Sequence, residues 1–193
     1  VKGLNYDVGA LLGMTPKKKD PRNRILHTII YLAPGDYHGI HAPTEFKLQQ
    51  RNHFMGYLLP VATIVARTVP SLFAINERVG LVGEWKHGFF SITAVGATNV
   101  GSISLKHEPE FTTNNTGDFF RVKTLGNQVP YKKIHAESVH CDKGEEIAFF
   151  RMGSTVVIVM EVPPEFGTEI VPGQIVRLGQ PLGSVPLPPP PPE

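Results

Sequence analysis

The chain has 193 residues, 41% hydrophobic and 19% charged, enough to bury the core of one domain and too few to require two, and that apolar content excludes disorder throughout. A formal net charge of +2 excludes nucleic-acid binding driven by electrostatics over the whole chain. The single cysteine, Cys141, excludes an internal disulfide and a secreted disulfide framework, and reads as an inert structural residue.

The first residue is Val1 and no secretory pattern opens the chain, which reads as a processed product or a cut piece whose targeting information is lost. Residues 1–14 carry a short helical pattern with Val8, Leu11 and Leu12 on one side. Thr15 to Arg24, TPKKKDPRNR, is a polar loop with five basic residues against one Asp, either solvated or touching anionic lipid heads. Ile25 to Leu32, ILHTIIYL, ended by Pro34-Gly35, predicts a buried strand, and Phe46 to Gln49 another. Met55 to Asn76 is mixed, with a helical turn around Ala62 to Arg67. Its stretch Tyr57 to Ile75 comes nearest to a membrane span but holds Pro60, Arg67 and Pro70, and no uncharged run reaches the roughly 18 residues a span needs; it reads as buried or interfacial.

Arg78 to Trp85 is strand-like. Phe89 to Thr98 and Val100 to Leu105 predict two more strands, with Gly96 and Gly101 marking a bulge or a close backbone approach. Asn114 to Gln128 is polar and turn-rich, the pattern of a mobile surface loop. Ile147 to Phe150 and Thr155 to Val162 are apolar strands flanking Met152-Gly153-Ser154. Three segments, Lys143-Gly144-Glu145-Glu146-Ile147, Val171-Pro172-Gly173-Gln174-Ile175 and Leu178-Gly179-Gln180-Pro181-Leu182, share one cadence of glycine turn, polar residue and apolar residue, the later two each leading into a short strand. The closing PLPPPPPE, residues 186–193, cannot join a sheet and predicts a disordered, solvated tail. Short apolar runs punctuated by 19 Gly and 18 Pro predict a mainly β (α+β) fold, a compact β sandwich or barrel with barrel-sandwich character and a few short helices.

Three groups of residues carry chemistry. In YLAPGDYHGIHAP (Tyr31 to Pro43), Asp36, His38 and His41 fall within six residues after a strand, where a rigid element presents side chains, and can supply a proton donor, an acceptor and an orienting carboxylate; histidines satisfied in a turn are the plain alternative. In FRMGST (Phe150 to Thr155), the Ser154 hydroxyl can attack the preceding carbonyl, which Gly153 leaves open, although Gly-Ser-Thr also reads as a tight turn. In Trp85-Lys86-His87-Gly88, His87 is the polar group of interest.

Together, YLAPGDYHGIHAP, NERVGLVGEWKHGFFSITAVGATNVGSI and KGEEIAFFRMGSTVV resemble phosphatidylserine decarboxylase, in particular its mitochondrial type, from about Val1 to Ser184. Met152 stands where the family usually has Leu, a swap of similar volume. The resemblance implies that Ser154 attacks the Gly153 carbonyl, that the chain splits into a β chain (1–153) and an α chain (154–193), and that Ser154 becomes a covalent pyruvoyl cofactor. It implies His41 as the base for self-cleavage and His38 as a residue of decarboxylation, with Asp36, His87 and Thr155 in support and no metal. Phosphatidylserine would form a Schiff base with the ketone and lose carbon dioxide to give phosphatidylethanolamine. The implied partners are the lipid, a membrane surface, the α and β chains of one precursor and a second copy in a homodimer; the implied location is the mitochondrial inner membrane, with a bacterial inner membrane as the alternative. Residues 1–185 would form the catalytic domain. The family also uses an Asp upstream of the segment matching Val1-Lys2-Gly3, so this chain is expected to process poorly. Two readings compete on residues alone: a zinc-dependent hydrolase using Asp36, His38, His41 and His87, and a non-catalytic barrel-sandwich carrier, for which neither Lys86 nor Lys143 sits in a suitably symmetric hairpin sequence.

Overall fold

Residues 7–98, 102–113, 131–151 and 154–186 are described by the structure, a computed structural model. In chain order the strands are β1 (Arg24–Tyr31), β2 (Gly39–His41), β3 (Phe46–Phe54), β4 (Arg78–Trp85), β5 (Gly88–Val95), β6 (Ile103–Leu105), β7 (Glu108–Thr112), β8 (Tyr131–Cys141), β9 (Glu146–Phe150), β10 (Thr155–Val162), β11 (Gly167–Thr168) and β12 (Gly183–Ser184). The helices are one-turn pieces: α1 (Val8–Leu12), α2 (Thr63–Ala66) and α3 (Leu72–Ile75). The mainly β expectation holds.

Strand β10, TVVIVMEV, is apolar or β-branched at almost every position and buried nearly throughout. A strand apolar on both faces belongs inside a sheet, and β10 lies between β1 and β5, antiparallel to both. The six-stranded sheet runs β1-β10-β5-β4-β3-β8, and a four-stranded sheet runs β2-β9-β6-β7. Ile40, Ile103, Leu105, Ile147 and Phe150 of the smaller sheet join Phe46, Val79, Phe90 and Val159 of the larger in one buried cluster. Two sheets sharing a core make a sandwich.

Two expectations need correction. The ILHTIIYL strand forms, but as the edge strand β1 it is only half-buried. Glycine turns occur at Gly144, Gly173 and Gly179, all with positive φ, but only the first leads straight into a strand, β9. After the other two the chain stays in turns that β11 and β12 close off, with Val171, Ile175 and Leu178 exposed. The Tyr57–Ile75 segment contributes Val61, Ala66, Leu72 and Phe73 to the core and leaves Tyr57 and Ile64 outside. No helix among the described residues is long and apolar enough to cross a membrane. Gly96 is a close approach as expected: a Cβ there would sit 3.1 Å from the Glu77 carbonyl oxygen. Gly101, the Asn114–Gln128 loop and almost all of the Pro-rich tail lie outside the described residues.

One buried carboxylate fixes the far end of the large sheet. Glu161, in β10, is fully buried. Its two oxygens accept from the backbone N–H groups of Lys19 (2.8 Å), Asp20 (2.9 Å) and Phe89 (3.0 Å) and from the Asn23 amide (2.8 Å). Burial alone would raise its pKa; the donors of Asp20, Lys19, Phe89 and Asn23 outweigh burial and hold it below the usual carboxylate range. The basic TPKKKDPRNR loop is thereby docked on the sheet. Gly88, at φ 121°, closes the β4–β5 hairpin beside this carboxylate, where any Cβ would collide with it.

Glu161→Gln replaces one acceptor oxygen with an amide NH2 that faces N–H donors, and should cost about 3 kcal/mol at neutral pH, read from urea unfolding. Because the native pKa is depressed, the carboxylate's contribution is complete above its unfolded value of about 4.3 and fades as pH falls through the native value. The gap between parent and variant should therefore shrink in acid; a gap unchanged at about pH 3 would contradict an ionised Glu161.

Candidate active site

The chain changes sheets between Phe150, the end of β9, and Thr155, the start of β10. Main-chain hydrogen bonds anchor this crossing. The Phe150 N–H donates to the His38 carbonyl (3.1 Å) and the Arg151 N–H to the Ser102 carbonyl (3.2 Å). Ser154 exchanges two bonds with Leu32, donating at 3.1 Å and accepting at 2.7 Å. That pair extends the β1–β10 ladder one step beyond Tyr31↔Thr155. Gly153 and Met152 lie outside the described residues.

Around the crossing, polar atoms are buried without partners among the described residues: Ser154 Oγ, Thr155 Oγ1, Ser102 Oγ and His38 Nε2. Ser154 is 0% exposed. A buried hydroxyl left unpaired costs roughly 1–3 kcal/mol, and native folds keep few such groups. Four of them on segments hydrogen-bonded to one crossing, or within it, mark a place where the fold leaves chemical groups free to react.

His41 is held differently. Its Nδ1 lies 2.7 Å from the Gly144 carbonyl oxygen, so Nδ1 carries a proton. Its Nε2 lies 2.9 Å from the Tyr37 hydroxyl, itself 2.9 Å from Glu146 Oε2. Two states satisfy this chain of groups. A neutral His41 accepts the phenol proton at Nε2; a protonated His41 donates from Nε2 to the phenol oxygen while the phenol donates to Glu146. The arrangement takes up and passes on a proton without moving heavy atoms. The hydrogen bond to Glu146, with burial and the carboxylate's charge, pushes the Tyr37 phenol pKa up.

The strand register separates the two histidines. His41 stands opposite Glu146, whereas the His38 carbonyl meets Phe150 at the other end of β9; three residues apart in the chain, the two histidines can be at most about 11 Å apart at Cα. The structure thus brings His38 to the end of β9 from which the chain reaches Ser154, and ties His41 to the turn before β9.

His87 is not at the crossing, whereas Asp36 lies in the turn between Leu32 and His38, whose backbones bond Ser154 and Phe150. Asp36 Oδ2 accepts from the Ala33 N–H (2.8 Å), closing the turn after β1. His87 occupies the two-residue connection of the β4–β5 hairpin, packed edge-on against Trp85 at 4.7 Å. Thr155 pairs with Val95 at the opposite end of β5, roughly 25 Å away. Burial, reinforced by Lys86, lowers the His87 pKa. The four proposed zinc ligands Asp36, His38, His41 and His87 accordingly form no ligand cluster among the described residues. Lys86 stands at the β4–β5 hairpin tip and Lys143 in the Asp142–Glu145 turn, both in turns as expected. Sequence reasoning missed Tyr37, Glu146 and Ser102. Tyr37 and Glu146 sit inside the motifs singled out above, but only the β2–β9 register brings them to His41.

A family model described as phosphatidylserine decarboxylase matches residues 1–184. The mitochondrial phosphatidylserine decarboxylase proenzyme of Pongo abelii is 44% identical over 205 residues, covering 96% of this chain and 49% of that protein. Mitochondrial phosphatidylserine decarboxylase proenzyme 1 of Saccharomyces cerevisiae is 44% identical over 83% of this chain and 33% of its own length. Its counterpart in Oryza sativa subsp. japonica is 47% identical over 74% of this chain and 33% of its own length. The chain thus spans between a third and a half of the curated relatives it matches.

Ser154→Ala and Thr155→Val each remove an unpaired buried hydroxyl and should leave stability unchanged or raise it by about 1 kcal/mol. Urea unfolding midpoints decide this. A loss above about 1 kcal/mol would mean that the hydroxyl has a structural partner.

Proposed function

This chain belongs to the phosphatidylserine decarboxylase family, and on that premise we propose that it converts phosphatidylserine to phosphatidylethanolamine with a pyruvoyl group made from its own Ser154. The observation that carries the reading is the Ser154 hydroxyl, held by its backbone to Leu32, buried and without a partner among the described residues.

The scission follows from ordinary acyl chemistry. Ser154 Oγ attacks the Gly153 carbonyl carbon as its proton passes to an imidazole. The peptide C–N bond breaks, the amine takes a proton, and an ester joins the two residues. Removal of the Ser154 α-proton expels the Gly153 carboxylate, and water replaces the resulting enamine nitrogen, released as ammonia, to leave a ketone. This ketone is built from the serine's own carbons, so a site that fits Ser154 fits it without added volume. Thr155 and His38 are the groups nearest in the chain and in the hydrogen-bonded framework to hold it. When present, the group supplies a carbonyl that accepts the electron pair released with carbon dioxide.

We assign His41 as the base for scission on the family resemblance; it stands at the other end of β9 from the crossing, so its proton exchange with Ser154 runs through intervening groups. Nδ1 is fixed by Gly144, and the Tyr37–Glu146 pair shares the proton at Nε2. His38, with an unpartnered Nε2 on the segment bonded to Phe150, is assigned to decarboxylation, placing a proton on the product carbon. A lipid substrate puts the site at a bilayer surface. The relatives are named mitochondrial, and we extend that address to this chain, at the inner membrane. Residues 1–185 act as one catalytic domain cut into chains 1–153 and 154–193.

Carbon dioxide release from carboxyl-labelled phosphatidylserine in mixed micelles, together with fragment analysis, tests the assignment. Ser154→Ala should abolish both scission and decarboxylation. His41→Ala should slow scission at least about 100-fold. His38→Ala should spare scission while decarboxylation per split chain falls about 100-fold. Decarboxylation by Ser154→Ala would overturn the function, and normal scission in His41→Ala would move the base role to His38.

A further inference from the structure

We propose that His107, Cys141 and Glu145 form a binding site for a zinc-like divalent cation. The three residues come from different elements. His107 lies in the turn between β6 and β7, Cys141 ends β8, and Glu145 immediately precedes β9. They therefore join the edge strand of the large sheet to the smaller sheet.

Their ligand atoms all lie within 4.8 Å of one another. Cys141 Sγ is 3.7 Å from His107 Nε2, and that nitrogen is 3.4 Å from Glu145 Oε1. Tetrahedral zinc holds thiolate sulfur at about 2.3 Å and imidazole nitrogen or carboxylate oxygen at about 2.0–2.2 Å. Tetrahedral angles then place S and N about 3.6 Å apart and N and O about 3.4 Å apart. Both observed edges match.

The geometry also argues against a catalytic relay. In a nucleophile–base–carboxylate relay the thiol and the carboxylate engage opposite ring nitrogens. Here both approach Nε2, and one nitrogen cannot be a good acceptor for the thiol and a good donor to the carboxylate at once. A cation at the centre satisfies all three lone pairs. The other Glu145 oxygen, Oε2, accepts from the Asp142 N–H (2.9 Å), which orients the carboxylate. Cys141 is fully buried, while the side chains of His107 and Glu145 are about one-fifth exposed (22% and 19%). An ion can enter from their side and keep water as its fourth ligand.

Lys106 is the competitor. Its ammonium lies 3.5 Å from Glu145 Oε1, on a half-exposed side chain free to swing away. The site also touches the proposed chemistry through the backbone. The Gly144 carbonyl, next to Glu145, accepts from His41 Nδ1, and the Glu145 carbonyl accepts from the Ala42 N–H at 2.8 Å. An ion on Glu145 would stiffen the turn that orients His41.

Cobalt(II) titrated into the chelator-treated full chain provides the test. One equivalent should give tetrahedral d–d bands and a thiolate-to-cobalt charge-transfer band, both bleached by one equivalent of zinc, and zinc should raise the melting temperature. Cys141→Ala and His107→Ala should lose the charge-transfer band with circular dichroism unchanged; should Cys141→Ala not fold, Glu145→Gln takes its place, with affinity reduced. Lys106→Ala should bind cobalt several-fold tighter, and unchanged affinity would argue against Glu145 Oε1 as a ligand. No charge-transfer band in the parent chain, or a band that survives Cys141→Ala, overturns the proposal.

Discussion

Two main-chain hydrogen bonds between Ser154 and Leu32 fix the position on which the proposed chemistry depends. They lock Ser154 into the first step of β10, a strand flanked on both sides and therefore unable to shift register without breaking two ladders. The hydroxyl has no freedom to leave the interior and no partner there among the described residues. Stability is given up at that point, and the six-stranded sheet around it is what makes the loss tolerable.

Charge elsewhere in the fold is held by the backbone to a large extent. Glu161 takes three of its four hydrogen bonds from main-chain N–H groups. Arg78, 1% exposed, donates to the carbonyls of Ala10 and Leu11 at the end of α1 and of Ala74 and Asn76 around α3. Its guanidinium lies 3.7 Å from the Phe54 ring centre, and burial lowers its pKa to about 9. One-turn helices such as α1 and α3 have little stability of their own; a buried cation on their free carbonyls fixes them to β4. His41 follows the same pattern through Gly144. Groups bonded to backbone keep their place when a neighbouring side chain changes protonation, and the proton transfer proposed for His41 and Tyr37 would benefit from that.

Much of the fold was legible because it is written in local pattern. Arg78 to Trp85 and Thr155 to Val162 are strands with the expected bounds, and Val8, Leu11 and Leu12 fall on a short helix. The edge position of β1 was not legible, since ILHTIIYL reads the same at an edge as in the interior. The 170–182 turns mimic a strand cadence, but exposed Ile175 has no face to bury. At the crossing, Ser154, His38 and Thr155 were legible as candidates because motif and strand boundary coincide; their roles are the ones proposed above. Tyr37, Glu146 and Ser102 depend on pairing between strands far apart in sequence, which no local window contains. His87 lies far from the crossing because a hairpin tip looks, in sequence, like an ionisable group near a motif. The comparisons name the family, whereas the structure supplies the positions from which roles are argued.

The most direct test is time-resolved intact-mass spectrometry of the purified 193-residue chain, with and without borohydride. Two fragments that meet between Gly153 and Ser154 should accumulate, however slowly, and the smaller one should gain the mass of hydride reduction at its new terminus. A chain that stays whole throughout, or a small fragment whose terminus is an unmodified, unreducible serine, would contradict a pyruvoyl group made from Ser154.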